Sequence, residues 1–451
     1  MSDRDRYIPH TPDEVAHMLE TIGAKSIDAL FEPIPDELRL DRPLDLPAAL
    51  SEQELTAELT ALAARNANTD SHDWFLGAGT YAHFSPSAVD ALIQRGEFLT
   101  AYTPYQAEIS QGTLQAVFEW QTMMASLTGT EVANASMYDG ASATAEAALM
   151  AMRLTRRSRV VLSAGLHPHY AEVVKSYLGG LDAVIEVAGL GEDGRSADLA
   201  GAIDEQTACL VVQRPNFFGC VEDLAGAAEA AHASGALLVV VVTESLSLAL
   251  LPPPGALGAD IVCGEAQSFG VPMSFGGPHV GFLATDQKRV RQMPGRLAGE
   301  TVDSHGKRGF VLTLSTREQH IRRERATSNI CTNQGLCLLT ATIYLSLLGR
   351  VGLRRLAELN LAKAEYAKGR IRETPGLGLR YAAPTFNEFV VTVPDSAGRA
   401  LERALAEGCV GGLDLAPHAP DLGPALLVCT TELASRDAID RLVGALGAGA
   451  P

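Results

Sequence analysis

Residues 236–285, ALLVVVVTESLSLALLPPPGALGADIVCGEAQSFGVPMSFGGPHVGFLAT, constrain the fold of this chain more than any other stretch. They contain two uninterrupted apolar runs, at 237–242 and 280–283, and a shorter run at 260–263. Such runs are typical of strands in a sheet that is covered on both faces, as in α/β proteins with parallel strands. The loop at 265–278 would then lie at the strand ends, where doubly wound proteins bind ligands.

Strand and helix patterns alternate ahead of this stretch. Short apolar runs at 160–163, 184–187 and 208–213 predict strands. Helical patterns separate them and also precede them, at 145–154, 170–178, 197–203 and 222–233. This βαβ repetition predicts a mainly parallel sheet of seven strands with helices on both faces.

The two ends of the chain differ from this central part. Thr11-Pro-Asp-Glu14 and Ser51-Glu-Gln-Glu54 are capping boxes that begin helices, and a proline-rich connection joins them. Near the other end, an apolar helix at 336–348 and Gly349 follow a highly charged stretch, and two further strands and three further helices come after them. We therefore predict a helical N-terminal arm (1–85), a large α/β domain (86–348) and a small C-terminal α/β domain (349–451).

Composition excludes several classes of protein. The net charge of −18 argues against general nucleic-acid binding, which depends on basic patches. Seven scattered cysteines without a C-x-x-C motif support neither a zinc ribbon nor a thioredoxin-type site, and they favour reduced thiols. The N-terminus has no apolar signal core, and no apolar run approaches a membrane span. We expect a soluble cytoplasmic protein with neither a nucleic-acid nor a membrane partner.

Three short motifs carry weak functional signals. The glycines of residues 74–86 do not match the dinucleotide fingerprint, and Thr301 stands where a P-loop needs its first glycine. His167-Pro-His169 could be a metal pair, but no third ligand accompanies it, and we expect no metal site. Asp139 to Ser142 open a helix whose N–H groups could receive a phosphate, although an ordinary helix cap is the favoured interpretation.

Four longer stretches carry a family resemblance. They are AYTPYQAEISQG, GEAQSFGVPMSFGGPHVGFLAT, GRLAGETVDSHGKRGFVLTLSTREQHIRRERATSNICTNQ and LLVCTTE. With them the chain resembles the fold-type-I pyridoxal-phosphate (PLP) enzymes, and in particular the glycine dehydrogenase (decarboxylating) subunit 1 family of the glycine cleavage system, from Tyr7 to the C-terminal helix. The resemblance implies the fold of PLP-dependent transferases, with the arm and the small domain described above.

The resemblance also implies that this chain holds no covalent cofactor. In the related subunit 2 an H-K-T-F-x-x-P loop supplies the Schiff-base lysine, and its position falls on Gln267, which cannot form an aldimine. The six lysines of the chain all lie outside this loop: Lys25, Lys175, Lys288, Lys307, Lys363 and Lys368. Glu244 replaces the usual aspartate after the central strand. We expect a vestigial cofactor pocket at Asp139, Ser142, His167 and Glu244.

The expected role is to complete a site on another chain. By resemblance, subunit 2 carries the PLP-lysine, the assembly is an α2β2 heterotetramer, and the reaction decarboxylates glycine and passes the aminomethyl group to the lipoyl arm of H-protein. Candidate contributions to the partner's site come from two polar stretches: Tyr102, Thr103, Tyr105, Gln106, Glu108, Thr327, Ser328 and Asn329. Two alternatives are a complete homodimeric PLP enzyme, which would need a lysine in the loops of 236–285, and a scaffold or regulatory subunit without active-site residues.

Overall fold

A computed structural model describes residues 9–40 and 42–449, which form two compact units divided after Asn66. The first eight residues of the predicted arm, Asp41 and the last two residues lie outside the described part. The resemblance at Tyr7 therefore lies there too.

The first unit contains two helices, α1 (Pro12–Ile22) and α2 (Glu52–Ala63), with 3-10 turns at Asp28–Phe31 and Asp36–Leu38. Both helices begin with the predicted capping boxes, in which the cap hydroxyl and the glutamate three residues later bond each other's backbone N–H. Within the described part of this unit no residue is buried. Its large apolar side chains are therefore available to another surface.

The second unit contains the remaining elements. Its strands are β1 (Asp73–Trp74), β2 (Val132–Ala133), β3 (Arg159–Ser163), β4 (Val184–Ala188), β5 (Thr207–Gln213), β6 (Leu237–Val242), β7 (Ile261–Glu265), β8 (Gly281–Thr285), β9 (Leu297–Val302), β10 (Arg308–Thr313), β11 (Gly378–Leu379), β12 (Glu388–Thr392), β13 (Cys409–Val410), β14 (Leu413–Asp414) and β15 (Ala425–Cys429). Its helices are α3 (Ser87–Ile93), α4 (Gly96–Leu99), α5 (Gln111–Thr128), α6 (Gly140–Thr155), α7 (Pro168–Leu178), α8 (Leu199–Ala202), α9 (Leu224–Ala233), α10 (Gln319–Arg322), α11 (Gly335–Glu373), α12 (Ala397–Ala406) and α13 (Arg436–Gly447).

The predicted seven-stranded sheet is present, with the strand order β2-β8-β7-β6-β5-β3-β4. The five strands from β7 to β4 in this order pair in parallel, whereas β8 pairs antiparallel with both β7 and β2. The connection from β7 to β8 is a loop without a crossover helix, so the chain returns in the opposite direction. The sheet is mainly parallel, as predicted.

Side chains of the central strands alternate between two apolar clusters. Val240 packs with α5, α9 and the first half of α11, whereas its neighbours Val239 and Val241 pack with α6 and α7 on the opposite face. Because both faces are covered, every residue of β5 and β7 is buried. This explains why uninterrupted apolar runs revealed the strands.

The C-terminal part forms a second sheet, antiparallel, in the order β11-β12-β15-β14, with α12 and α13 packed on it. Helix α11 leads into it and is broken at Gly349, whose φ of 56° and ψ of −176° no side chain tolerates easily. By length and composition α11 is the one helix in the described residues that could cross a membrane. Half of its most apolar window is buried, which is typical of a core helix.

One antiparallel pair was not predicted. Strands β9 and β10 form a hairpin whose tip is the Ser304-His-Gly-Lys307 stretch. Asp303 closes this turn by accepting the backbone N–H groups of His305 and Lys307, both at 2.8 Å. The stretch that superficially resembles the end of a P-loop is therefore a hairpin turn.

Candidate functional site

The predicted pocket residues lie at one edge of the large sheet. His167 follows β3, Glu244 follows β6, Gln267 follows β7, and Asp139 begins α6. The carboxyl ends of parallel strands meet at this edge, where doubly wound folds hold their ligands. His167, Glu244 and Gln267 are all buried. The four residues thus lie at the end of the sheet where ligands of doubly wound folds bind.

A single segment, residues 77–84, crosses this edge and contacts each of these three side chains. Tyr81 lies at its centre, with 1% of its surface exposed. Its backbone N–H donates to Oε1 of Gln267 at 2.9 Å, and Nε2 of Gln267 donates to the Tyr81 carbonyl oxygen at 3.0 Å. Nε2 also donates to the carbonyl oxygen of Val271 at 2.7 Å. All hydrogen-bonding groups of the Gln267 amide thus face backbone.

His167 is held by the same segment. Its Nε2 lies 2.9 Å from the carbonyl oxygen of Ala78, and its Nδ1 accepts the N–H of His169 at the start of α7. A Cβ atom at Gly79, where φ is +94°, would lie 3.2 Å from the imidazole. Burial lowers the pKa of His167 to about 4, so the ring is neutral and donates from Nε2. The ring of His167 therefore bonds only backbone groups, whereas the side chain of His169 is exposed.

Glu244 is paired with His83, the last polar group of the segment. The His83 ring donates from Nε2 to Glu244 at 3.0 Å and from Nδ1 to Glu432 at 2.8 Å. Burial opposes charge on this ring, but the two carboxylates overcome it and raise the pKa of His83 to about 10. Glu244 also accepts from the side chain of Asn387 and from the backbone N–H of Leu246, both at 3.0 Å. Its acceptor sites are therefore filled from within the chain.

Glu388 fixes the opposite side of the segment. It accepts the backbone N–H of Ala78 and the hydroxyl of Tyr81, each at 2.7 Å. Burial of this carboxyl, in a cluster that also contains Glu244, raises the pKa of Glu388 to about 7. Glu388 lies on β12, so residues 77–84 join the small antiparallel sheet to the large sheet.

The predicted phosphate cup is a helix cap. Asp139 accepts the N–H of Ser142 at 2.7 Å, and the Ser142 hydroxyl bonds back to the backbone of Asp139. The N–H of Gly140 donates to a different carboxylate, Glu265, at 3.0 Å. Two of the N–H groups at this helix start are thus taken by carboxylates of the chain itself.

Two residues of the second predicted group line a cleft of about 210 Å³ beside α5. Tyr102 and Thr103 line it together with Arg296 and Asn333. Tyr105 stands beside it, half exposed, with its hydroxyl accepting from Nη2 of Arg296 at 3.0 Å. Arg296 is only 3% exposed. A buried guanidinium therefore fixes an exposed phenol.

The remaining predicted residues differ in their exposure to solvent. Gln106 and Glu108 are exposed, as is Asn329. Ser328 donates to the buried Glu146 of α6 at 2.7 Å, and Thr327 is half-buried beside it. Residues 102–108 and residues 327–329 thus do not line one cleft. Tyr102 and Thr103 share it instead with Thr332 and Asn333, which follow the second segment.

Sequence reasoning missed six residues that determine this geometry: Tyr81, His83, Glu265, Arg296, Glu388 and Glu432. The density of glycine, tyrosine and histidine in residues 74–86 was a usable signal for a segment crossing a site. That stretch was weighed only as a dinucleotide site. The buried carboxylates gave no comparable signal.

Comparisons with known proteins agree with the geometry. The Glycine cleavage system P-protein family matches residues 5–446. Two relatives named probable glycine dehydrogenase (decarboxylating) subunit 1, from Anaeromyxobacter dehalogenans and Desulforamulus reducens, are 55% and 51% identical over 446 residues, which are 98% of this chain and 99% of each relative.

Solved structures show the same likeness. The chain is similar to the inhibitor-bound crystal structure of glycine decarboxylase (P-protein) of the glycine cleavage system, with a TM-score of 0.89, 46% identity, and coverage of 98% of this chain and 99% of that one. A Lactobacillus brevis glutamate decarboxylase shares the fold at 15% identity and a TM-score of 0.68, over 92% of this chain and 97% of that one. The predicted fold class, that of fold-type-I PLP enzymes, is confirmed.

Proposed function

This chain belongs to the glycine cleavage system P-protein family, and we propose that it acts as subunit 1 of glycine dehydrogenase (decarboxylating), an oxidoreductase of glycine catabolism. Its partner is subunit 2, which binds PLP through a lysine. Together they decarboxylate glycine and transfer the remaining aminomethyl group to the lipoyl arm of H-protein. We expect an α2β2 heterotetramer.

The observation that carries this proposal is the state of Gln267. Its amide is buried at the position of the family's Schiff-base lysine and is saturated by the backbone of Tyr81 and Val271. Lys363 and Lys368 are engaged in the C-terminal part, where they donate to Glu432 and Thr385. These contacts support a covalent cofactor site on the partner and argue against a complete homodimeric enzyme.

The cleft at Tyr102 supports a contribution to the partner's site. Tyr102 is 79% exposed, and Tyr105 is oriented by Arg296, whose Nε lies 3.2 Å from Glu318. Exposed aromatic and polar groups fixed by a buried ion pair are typical of a surface that meets a ligand or another chain. We propose that this face carries the residues that act in trans.

The arm supports assembly with another chain. In its described part up to Asn66, fourteen large apolar residues are exposed: Met18, Ile22, Ile27, Leu30, Phe31, Ile34, Leu38, Leu40, Leu44, Leu46, Leu50, Leu55, Leu59 and Leu62. So many exposed apolar side chains in one segment mark an interaction surface. Seven unpaired cysteines in the described residues are consistent with a reducing, cytoplasmic location, which we also propose.

The test combines this chain with a subunit-2 homologue. Borohydride reduction and peptide mapping would locate the pyridoxyl-lysine, and glycine–bicarbonate exchange would report turnover. We expect the modified lysine only on the partner and exchange only when both chains are present. A pyridoxyl-lysine on this chain, together with exchange activity when the partner is absent, would contradict the proposal.

A matched pair of variants tests whether this chain contributes residues to the partner's active site or serves only as a scaffold. Gln106 and Gln206 are both exposed, but only Gln106 lies in the proposed face. Gln106→Ala should lower turnover of the assembled enzyme, and Gln206→Ala should not. Normal turnover of Gln106→Ala, Tyr102→Ala and Tyr105→Ala with intact assembly would favour the scaffold alternative.

A further inference from the structure

Glu265 has an unusual environment for a buried carboxylate. It is 1% exposed and lies at the end of β7, directly against the start of α6. One oxygen accepts the backbone N–H groups of Ala266, Gln267 and Val280 at 3.1, 3.2 and 2.9 Å. The other accepts the N–H of Gly140 at 3.0 Å. Four backbone donors therefore converge on one anion.

The ring of His279 completes this environment. Its Nδ1 lies 3.6 Å from the second oxygen of Glu265. The neighbouring Glu265 carboxylate raises the pKa of His279, although burial opposes this. Backbone N–H groups at the start of a long helix, with a basic side chain beside them, form the type of cradle in which proteins bind phosphate.

Two glycines beside this carboxylate are closely packed. A Cβ atom at Gly140 would lie 2.3 Å from the hydroxyl oxygen of Tyr170 and 3.0 Å from the nitrogen of Glu265. A Cβ atom at Gly281 would lie 2.2 Å from the carbonyl oxygen of Asp139. The cradle is packed to contact around the carboxylate that it holds.

The rest of the pocket is filled in the same way. Residues 77–84 bond Gln267 through the backbone of Tyr81, His167 through the carbonyl of Ala78, and Glu244 through the ring of His83. Three of the predicted pocket side chains, Gln267, His167 and Glu244, thus already have partners from this chain.

We propose that this chain carries a built-in replacement for PLP, in which the Glu265 carboxylate stands for the phosphate and residues 77–84 stand for the ring. The pocket is consequently closed to PLP even when a lysine is restored at position 267. The inference rests on the proposed function only in taking the family's cofactor site as the reference for this pocket. Its tests use this chain alone, so the activity of the assembled enzyme does not enter.

The first test restores the lysine. Wild type and Gln267→Lys would be incubated with PLP, reduced with borohydride and peptide-mapped, with visible absorbance recorded before reduction. We expect no pyridoxyl-lysine at position 267 and no visible band in either protein. A pyridoxyl-lysine at position 267 of the variant would overturn the proposal.

The second test empties the cradle. Glu265→Ala removes the carboxylate, so acetate and inorganic phosphate should each raise its melting temperature more than that of wild type. Glu300→Ala, which removes an exposed glutamate paired with Arg308, is the control and should respond as wild type does. Equal responses of all three proteins to both anions would overturn the assignment of the cradle.

A third measurement covers the case in which Glu265→Ala does not fold. Glu265→Gln keeps the size of the side chain but removes its charge. NMR titration should then show His279 losing its proton at a lower pH than in wild type. An unchanged titration of His279 would show that Glu265 is not the anion beside it, and would overturn the proposal.

Discussion

Gln267 and Tyr81 pair as two strands of a sheet would, although one of them contributes only a side chain. The Tyr81 N–H donates to Oε1 at 2.9 Å, and Nε2 donates to the Tyr81 carbonyl oxygen at 3.0 Å. An ammonium group could not replace this amide, because it donates but cannot accept. Gln267 thus fixes residues 77–84 through a pair of hydrogen bonds that a lysine could not make.

Gln267→Met should destabilise the protein. Methionine has similar size but leaves the N–H and C=O of Tyr81 and the C=O of Val271 without partners in a buried site. Unpaired buried polar groups cost about 1–3 kcal/mol each, so three of them should lower the free energy of unfolding by at least about 3 kcal/mol. Urea unfolding measures it, with exposed Gln287→Met as the control. A loss no larger than that of the control would contradict the structure.

His83→Ala should also lower the free energy of unfolding, and the size of this loss should depend on pH. It leaves Glu244 and Glu432 buried without their shared cation, which typically costs about 3–5 kcal/mol. The pKa of His83 is raised from 6.5 to about 10 in the folded protein, so its stabilisation is complete below pH 6.5 and is lost as pH rises through about 10.

The measurement is the difference in unfolding free energy between wild type and His83→Ala from pH 6.5 to about pH 10. It should shrink as pH increases. His305→Ala, at an exposed hairpin tip, serves as the control and should show no such trend. A constant difference would mean that His83 is not the titrating cation.

Glu388→Gln should remove a pH dependence of stability. The sign of this dependence is opposite to that of a carboxylate in an ordinary ion pair. The pKa of Glu388 is raised from 4.5 to about 7 when folded, so the folded protein binds more protons than the unfolded chain between these values. Stability contributed by this group is therefore present at low pH and lost as pH rises from 4.5 to 7, by about 3 kcal/mol. The variant cannot titrate and should keep its stability across this window.

The amide of this variant can mimic the protonated acid. Its oxygen can accept the N–H of Ala78, and its nitrogen can donate to Tyr81, whose hydroxyl lies 3.4 Å from the hydroxyl of Thr243. Parallel unfolding curves of wild type and variant from pH 4.5 to 8 would contradict the raised pKa.

Arg296→Lys should impair the assembled enzyme without unfolding this chain. Lysine cannot reproduce the fork by which Arg296 reaches Tyr105, the carbonyl of Cys331 and Glu318 at once. If Tyr105 acts in the partner's site, its displacement should lower glycine turnover by about tenfold or more. Arg308→Lys at an exposed ion pair is the control. Unchanged turnover of both variants would show that the cleft does not contribute to the partner's active site.

Features that depend on local sequence were predictable. The apolar run of β6 revealed a doubly covered strand, and Thr11 and Ser51 revealed two helix starts, because each signal lies within a few residues. Gly349 marked the break in α11 for the same reason. The loop ahead of β8 was also placed correctly at the edge of the sheet.

The contacts that fill the pocket could not be predicted in this way. His83 and Glu432 are 349 residues apart, and Tyr81 and Gln267 are 186 apart, so no spacing rule links them. Glu265 is an acid within an apolar strand, and only the fold shows that four N–H groups converge on it. The β9–β10 hairpin was missed because its strands are partly exposed and its tip was read as a failed nucleotide motif.

The carboxylate of Glu265 is covalently part of the polypeptide, and this affects how the chain responds to its surroundings. A protein that binds a separate cofactor gains stability by mass action, in proportion to the logarithm of the free cofactor concentration. A tethered group has no concentration to vary, and its placement is settled once, when the chain folds. With the Glu265 carboxylate in place of a bound phosphate, as we propose, added PLP should not change the stability of this chain.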